Sequence, residues 1–474
     1  MGKNLIDLYT DYLISSFSST TATGLSSLVD GSLSHDQITT FLAESDLDSK
    51  SLWLNVKPMV RELEKAKGTG VLIFDDSISE KPYSDENEIV CYHWDHAKKS
   101  HVKGINFLNC LFQKDGISLP ISAEIIEKNE YFIDQKTGKK KRRSSITKNE
   151  LMQKMLTVAQ NNRVLYDYVL ADSWFSSADN MKFIKKDLQK EFVFALKSNR
   201  LVALSLEDKL EGKFVPIDSL PLNEDTLISV YIKGLDFPVS LVKQSFTNKD
   251  DSEGELYLAC SDSSCDYSQI TTIYQKRWSV EEFHKSLKQN ASLEKSPTHV
   301  KKTQKNHFFA SIYAFVKLEQ LKIKNSMNHF AIKTRLYINA LRASMKELHS
   351  MREALAWKIT LGKYYARNMS NSFIISAEMI SPDLNSWGVS KSPPSRFIGK
   401  DNKMDASTIR MLFFIIPLLL KYDVPELGIT KSNASGSSAS SSSGCVVVGG
   451  RSSRWRTTIT TTTAGDDSET KKRY

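Results

Sequence analysis

Two short apolar runs, each ending in aspartate, constrain this chain more than any other feature. Val71-Leu72-Ile73-Phe74 leads into Asp75-Asp76-Ser77, and about a hundred residues later the run 166–171 leads into Asp172-Ser173-Trp174-Phe175. Apart from Asp167 near the start of the second, these runs are apolar, which suits strands covered on both faces inside a sheet flanked by helices. A carboxylate at the end of such a strand opens onto a cleft. Further strands are predicted near 88–93, 105–113 and 117–125, followed by a helix over 148–161, then a helix over 177–188 and a strand over 192–197. A meander followed by a crossover is an α/β pattern.

The flanking segments differ in character. Residues 1–68 read as short amphipathic helices, with Leu5, Leu8, Tyr9, Tyr12 and Leu13 at helical spacing. They suit either a DNA-docking module or a helical cap on the core. Residues 69–200 form the first part of the α/β core. Residues 201–262 change to strand-like alternation, including 227–232 and 256–260, and read as a β-rich insertion. Residues 263–350 are helical again, with apolar-rich helices near 306–321 and 332–348. Residues 351–431 form a C-terminal segment of uncertain class, and the Ser-Gly, Arg and Thr runs of residues 432–474 predict disorder. The apolar run 411–420, interrupted by Pro417, is about half as long as a membrane span requires. Neither an export signal nor a lipidation pattern is read at the N-terminus.

Chemistry concentrates in Tyr274-Gln-Lys-Arg277-Trp278-Ser-Val-Glu281-Glu282-Phe-His-Lys-Ser-Leu-Lys288. On a single helix at about 100° per residue, Tyr274, Arg277, Glu281 and Lys288 share an arc of about 60°, while Val280, Phe283 and Leu287 gather opposite. That face offers a carboxylate between two cations and a phenol. The carboxylate suits a hard divalent cation, and the cations suit phosphate oxygens. A solvated helix with an Arg277–Glu281 salt-bridge spacing is the plain alternative.

The spacing Tyr-x2-Arg-x3-Glu-x6-Lys resembles the signature of the IS4-type DDE transposases of bacterial insertion sequences. The resemblance implies an RNase H-like core with a β insertion, in which two aspartates and a glutamate hold two magnesium or manganese ions. Residue by residue, Asp172 in Asp-Ser-Trp-Phe matches the second acidic motif and Glu281 the third carboxylate. For the first, the Asp-x-Ser pattern selects Asp75 with Ser77, with Asp76 as the alternative. Catalysis and metal ligation would then rest on Asp75, Asp172 and Glu281, with Tyr274, Arg277 and Lys288 placing the DNA backbone. The implied partners are transposon terminal inverted repeats and target DNA, with a homodimer in a synaptic complex. The implied location is cytoplasmic and nucleoid-associated. Trp174 and Trp278 are read as packing residues beside the site, with stacking on an unpaired base as the alternative. The competing readings are an RNase H-like nuclease without strand transfer and an inactive transposase-derived DNA-binding protein.

Charge agrees with a polyanionic partner. The net charge is +9 with a pI near 9.0. Lys139, Lys140, Lys141, Arg142 and Arg143 are expected in a loop that contacts phosphates. Cys91, Cys110, Cys260, Cys265 and Cys445 show neither zinc nor disulfide spacing and read as free thiols of a reducing compartment. His93, His96 and His101 read as polar turn residues without a metal.

Overall fold

The computed structural model describes residues 2–95, 98–247 and 251–377. The chain divides into two compact units, residues 1–358 and 359–474, and the first contains every element discussed below except the end of the last helix. Four helices open the chain: α1 (Gly2–Ser15), α2 (Ala22–Leu28), α3 (His35–Glu44) and α4 (Ser49–Glu64). Ser34 and Asp48 start α3 and α4 with reciprocal capping boxes, which satisfy two backbone donors at each entry.

Strands β1 (Val71–Glu80), β2 (Val90–Asp95), β3 (Ser100–Lys114) and β4 (Ile117–Ile125) follow, then a separate hairpin of β5 (Glu130–Ile133) and β6 (Lys140–Arg143). The crossover helix α5 (Lys148–Asn161) leads to β7 (Tyr168–Ala171), and α6 (Ala178–Lys182) leads through a wider turn to β8 (Glu191–Leu196). Strand β1 runs antiparallel to β3 on one side and parallel to β7 on the other, β7 runs parallel to β8, and β4 pairs with β3. The order β4-β3-β1-β7-β8 is the RNase H-like α/β core that the resemblance implies.

The β-rich segment contains β9 (Leu201–Ala203), α7 (Leu206–Leu210), β10 (Val215–Pro216), β11 (Leu227–Ile232), β12 (Val239–Thr247) and β13 (Glu253–Cys260). Pairing of β13 with β8, from Tyr257↔Leu196 to Cys260↔Val193, continues the core sheet to eleven strands. Helices α8 (Tyr267–Gln275), α9 (Trp278–Gln289), α10 (Lys301–Asn325) and α11 (His329–Ala377) complete the described chain. No described helix is long and apolar enough to cross a membrane. The expectations for 378–474, including the tail and Cys445, lie outside the described residues. The other four cysteines are free and buried.

Helix α10 is buried around nearly its whole circumference, as expected of a helix enclosed by others. It binds the N-terminal helices through polar groups as well as apolar ones. Tyr9 Oη lies 2.9 Å from His307 Nδ1. The Asn306 amide donates to the carbonyls of Leu42 and Ser45 at 2.8 and 2.6 Å and accepts from Leu47 N–H at 3.0 Å. Asn306 is 1% exposed, so its removal would orphan three backbone groups in a dry place. Asn306→Leu should destabilise the protein by on the order of 3 kcal/mol. Urea unfolding measures this, and a loss below 1 kcal/mol would mean that the N-terminal helices are not held through α10.

Candidate active site

The first carboxylates owe their placement to unequal pairing on the two sides of β1. Its parallel pairing with β7 ends at Phe74↔Ala171, whereas its pairing with β3 continues to Glu80↔Gly104. The sequence expectation of a strand ending at Phe74 is therefore corrected, because the residues after Phe74 still find ladder partners on β3. Asp75 lies where one neighbour has stopped and a cleft can begin. Alternation along the strand sends Asp75 and Asp76 to opposite faces. Asp76 accepts from Lys148 Nζ at 2.6 Å and Asn106 Nδ2 at 3.1 Å, on the side of α5. Asp75 shares its side with α9, where His284 Nδ1 lies 3.9 Å from its Oδ2.

The signature stretch occupies two helices. Helix α8 ends at Gln275 and α9 begins at Trp278, and the junction carries three-residue bonds such as Arg277 N–H to Tyr274 O at 2.9 Å and Val280 N–H to Arg277 O at 3.0 Å. The tighter turn breaks the even spacing that a single helix would give, and Lys276 Nζ fastens it to Thr69 O at 2.6 Å. Tyr274 is consequently buried, with the Arg277 guanidinium 5.8 Å from its ring centre. Arg277 Nη1 lies 3.9 Å from Asp75 Oδ2 and 3.6 Å from Glu281 Oε1. Lys288 donates to Ile78 O at 2.8 Å and stands 3.5 Å from Glu294.

Ligand atoms of Asp75, Glu281 and His284 all lie within 4.8 Å of one another. His284 received no role from the sequence. Its signal was the three-residue step from Glu281, which becomes meaningful only once β1 supplies Asp75 opposite. Asp172 stands outside this close trio but lines the same cleft of about 960 Å³. Its Oδ1 accepts from Trp174 N–H at 2.9 Å and its carbonyl from Phe175 N–H at 3.2 Å, a turn that fixes the carboxylate just beyond β7.

Electrostatics at the trio are unbalanced. Burial pushes the Asp75 carboxyl up to about 8, Arg277 pulls it down, and Glu281, Asp172 and Asp76 add to the rise. Burial likewise raises Asp172, with the Trp174 amide and Arg277 opposing, and raises Tyr274 to about 12. Burial opposes the charge on Arg277, yet Tyr274, Asp75, Glu281 and Asp172 hold its pKa above the usual value. Burial depresses His284 to about 3, with Lys288 and Arg277 adding to the fall, so its imidazole is neutral. Its Nε2 lies 3.0 Å from Asn109 Nδ2, while the Asn109 Oδ1 is buried without a partner. Turning that amide over would let Oδ1 accept from Nε2–H and free the Nδ1 lone pair toward Asp75. Two carboxylates and a neutral imidazole with too little positive charge nearby are a donor set that fits a divalent cation.

The other sequence candidates lie apart from this cluster. Lys140 to Arg143 form β6 rather than a loop, and Lys139 precedes it. Tyr131 holds the strand through cation–π contacts with Lys140 at 4.1 Å and Arg142 at 4.6 Å. Lys141 pairs with Asp134 and Arg143 with Glu130. Trp174 and Trp278 are 56% and 65% exposed, which corrects their reading as packing residues. His93 and His101 lie on β2 and β3 rather than in turns, His93 is buried, and His96 falls outside the described residues.

The raised Asp75 pKa fixes a sign. Between 3.8 and about 8 the folded chain keeps a proton that the unfolded chain has lost, so metal-free stability falls as pH rises across that window. His284 contributes the opposite slope only up to 6.5. Between pH 6.5 and 8, metal-free wild type should lose about 1 kcal/mol per pH unit relative to Asp75→Asn, and added magnesium should reverse the loss. Parallel stability curves for the two proteins in denaturant titrations would contradict this.

No curated protein sequence matches the chain. The family model described as DDE superfamily endonuclease matches residues 3–208, and the model described as Transposase DDE domain matches residues 144–316. Asp75 lies in the first match, Glu281 in the second and Asp172 in both. Both models describe DDE nucleases, each over less than half of the chain, so residues 3–208 are similar to a DDE superfamily endonuclease and residues 144–316 to a transposase DDE domain, on an RNase H-like sheet.

Proposed function

We propose that the chain is an IS4-type transposase that cuts DNA at transposon ends and joins the freed 3′ end to a target, with Asp75, Asp172 and Glu281 as its acidic triad and His284 as an added metal ligand. The observation that carries this reading is the convergence of Asp75, Glu281 and His284 within 4.8 Å in the cleft that Asp172 also lines. The intact spacing of Tyr274, Arg277, Glu281 and Lys288 supports the IS4-type assignment. The engagement of Asp76 by Lys148 supports Asp75 as the first acid.

Magnesium or manganese held by these groups would supply the activated water or 3′-hydroxyl and stabilise the leaving 3′-oxygen. The chain's own residues do the rest. Arg277 offsets the repulsion between Asp75 and Glu281 that would otherwise spread them apart. Lys148, Lys285 and Lys288 line the cleft and give a phosphodiester cationic surroundings on its way to the acids. The β5–β6 hairpin, with six cations and two acids between Glu130 and Arg143, adds a sequence-independent grip on the backbone. Two copies of the chain would bring two DNA ends together.

Glu281→Gln should reduce metal-dependent cutting of end DNA at least about 100-fold while leaving the affinity for that DNA within about threefold. Asp75→Asn should match it, and Asp76→Asn should retain much more activity. Gel assays with labelled ends measure cutting and joining separately. Full cutting by Glu281→Gln would sink the assignment of the site, and cutting without joined products would leave a nuclease.

A further inference from the structure

Helix α9 carries a second set of donor groups away from the acidic cleft. Glu282 and Ser286, one turn apart, line a separate cavity of about 100 Å³ together with Phe315, Glu319 and Lys322 of α10 and His329 at the start of α11. Glu282 is exposed at this cavity, whereas Glu319 and His329 are only 3% and 5% exposed. Glu319 Oε1 and His329 Nε2 face each other across 3.7 Å, too far for a hydrogen bond. His329 Nε2 is buried with no hydrogen-bond partner, and so is the second Glu319 oxygen. On the other side of the ring, Nδ1 lies 2.9 Å from Ser286 Oγ, which also accepts from Asn290 Nδ2 at 3.1 Å. The Phe315 ring packs edge-on against the imidazole at 4.8 Å. These contacts fix the plane of the ring, and an Nδ1–H donated to Ser286 turns the Nε2 lone pair toward Glu319.

Two electron-pair donors that face each other away from water repel unless positive charge lies between them. Burial pushes Glu319 up to about 7, Lys322 pulls it down and Glu282 adds to the rise, while burial depresses His329 to about 4 and leaves its imidazole neutral. Lys322 Nζ, 3.2 Å from Glu319 Oε2, supplies part of the missing charge from one side. It also donates to Gly116 O at 2.8 Å, so it can give up the carboxylate and keep a partner. We propose that this cavity is a second divalent-cation site, separate from the acidic cleft, in which Glu319, the His329 imidazole and Glu282 hold a transition-metal ion. Two carboxylates and one neutral imidazole are ligands of that class, and the cavity has room for an ion and a few waters. Magnesium, which takes oxygen ligands and keeps several waters, fits it less well. The ligands come from α9, α10 and α11, so the ion would fasten the back of the helix that carries Glu281 and His284. Its role is structural, and it touches no reacting atom.

The test counts ions in a full chain whose acidic cleft is disabled. Co2+ is titrated into Asp75→Asn/Glu281→Gln and followed by visible absorption and equilibrium dialysis, with melting curves to verify folding. One Co2+ per chain should bind and raise the melting temperature. Adding His329→Gln to this background should weaken Co2+ at least about tenfold and change the absorption band, because an imidazole nitrogen leaves the ion. Adding Glu282→Gln, at an exposed position that puts no buried packing at risk, should also weaken it about tenfold. The absence of Co2+ binding in the background protein, or equal affinity in all three proteins, would overturn the proposal. Neither readout depends on DNA cutting. Binding that is lost with His329→Gln and Glu282→Gln in a chain that cuts no DNA would uphold this site and remove the transposase reading alone.

Discussion

The repulsion between Asp75, which is largely shielded, and the half-exposed Glu281, held in check by one guanidinium, is the interaction on which the rest of this structure depends. Asp75 sits 14% exposed with Arg277 3.9 Å away, and the same guanidinium reaches toward Glu281. Neither distance is a hydrogen bond, so the charge is shared and incompletely compensated. A folded chain tolerates this only if the scaffold holds the acids in place. Proton uptake by Asp75 and capture of a divalent cation are two ways of relieving the same strain, and they compete.

The scaffold that imposes the arrangement is apolar and continuous. Phe107 on β3, beside the Asp75 pair, contacts His284 at 5.8 Å and Phe308 of α10 at 4.9 Å between ring centres. Phe283 of α9 packs edge-on against Phe315 of α10 at 4.7 Å. Helix α9 is thus gripped between the sheet and α10, and α10 is gripped in turn by the N-terminal helices through Asn306 and His307. A segment that reads from sequence as either a docking module or a cap is structurally part of the frame behind the site.

Much of this was legible because burial dictates residue type. Strands covered on both faces must be apolar throughout, so Val71 to Phe74 and the run before Asp172 announced the two central strands. The helix expected over 148–161 is observed with those bounds as α5, which Thr147 opens with a capping box. What was not legible depends on contacts distant in sequence. The choice between Asp75 and Asp76 turns on the continuation of β1 beside β3. The break between α8 and α9 contains neither Pro nor Gly and is secured by Lys276 reaching Thr69. The strand character of Lys140 to Arg143 comes from the Tyr131 ring and two ion pairs across the hairpin, against the low β-propensity of lysine. His284 carries no pattern of its own until the sheet supplies its neighbours.

The most direct measurement of the central claim, that β1, the end of β7 and α9 together cradle a divalent cation, is backbone cleavage by Fe2+ substituted for the native metal, with ascorbate and peroxide. The account predicts cuts clustered near residues 75, 172 and 281–284, suppressed by excess magnesium and absent in Asp75→Asn. Cuts confined to other segments, or a pattern unchanged by magnesium and by the substitution, would contradict it.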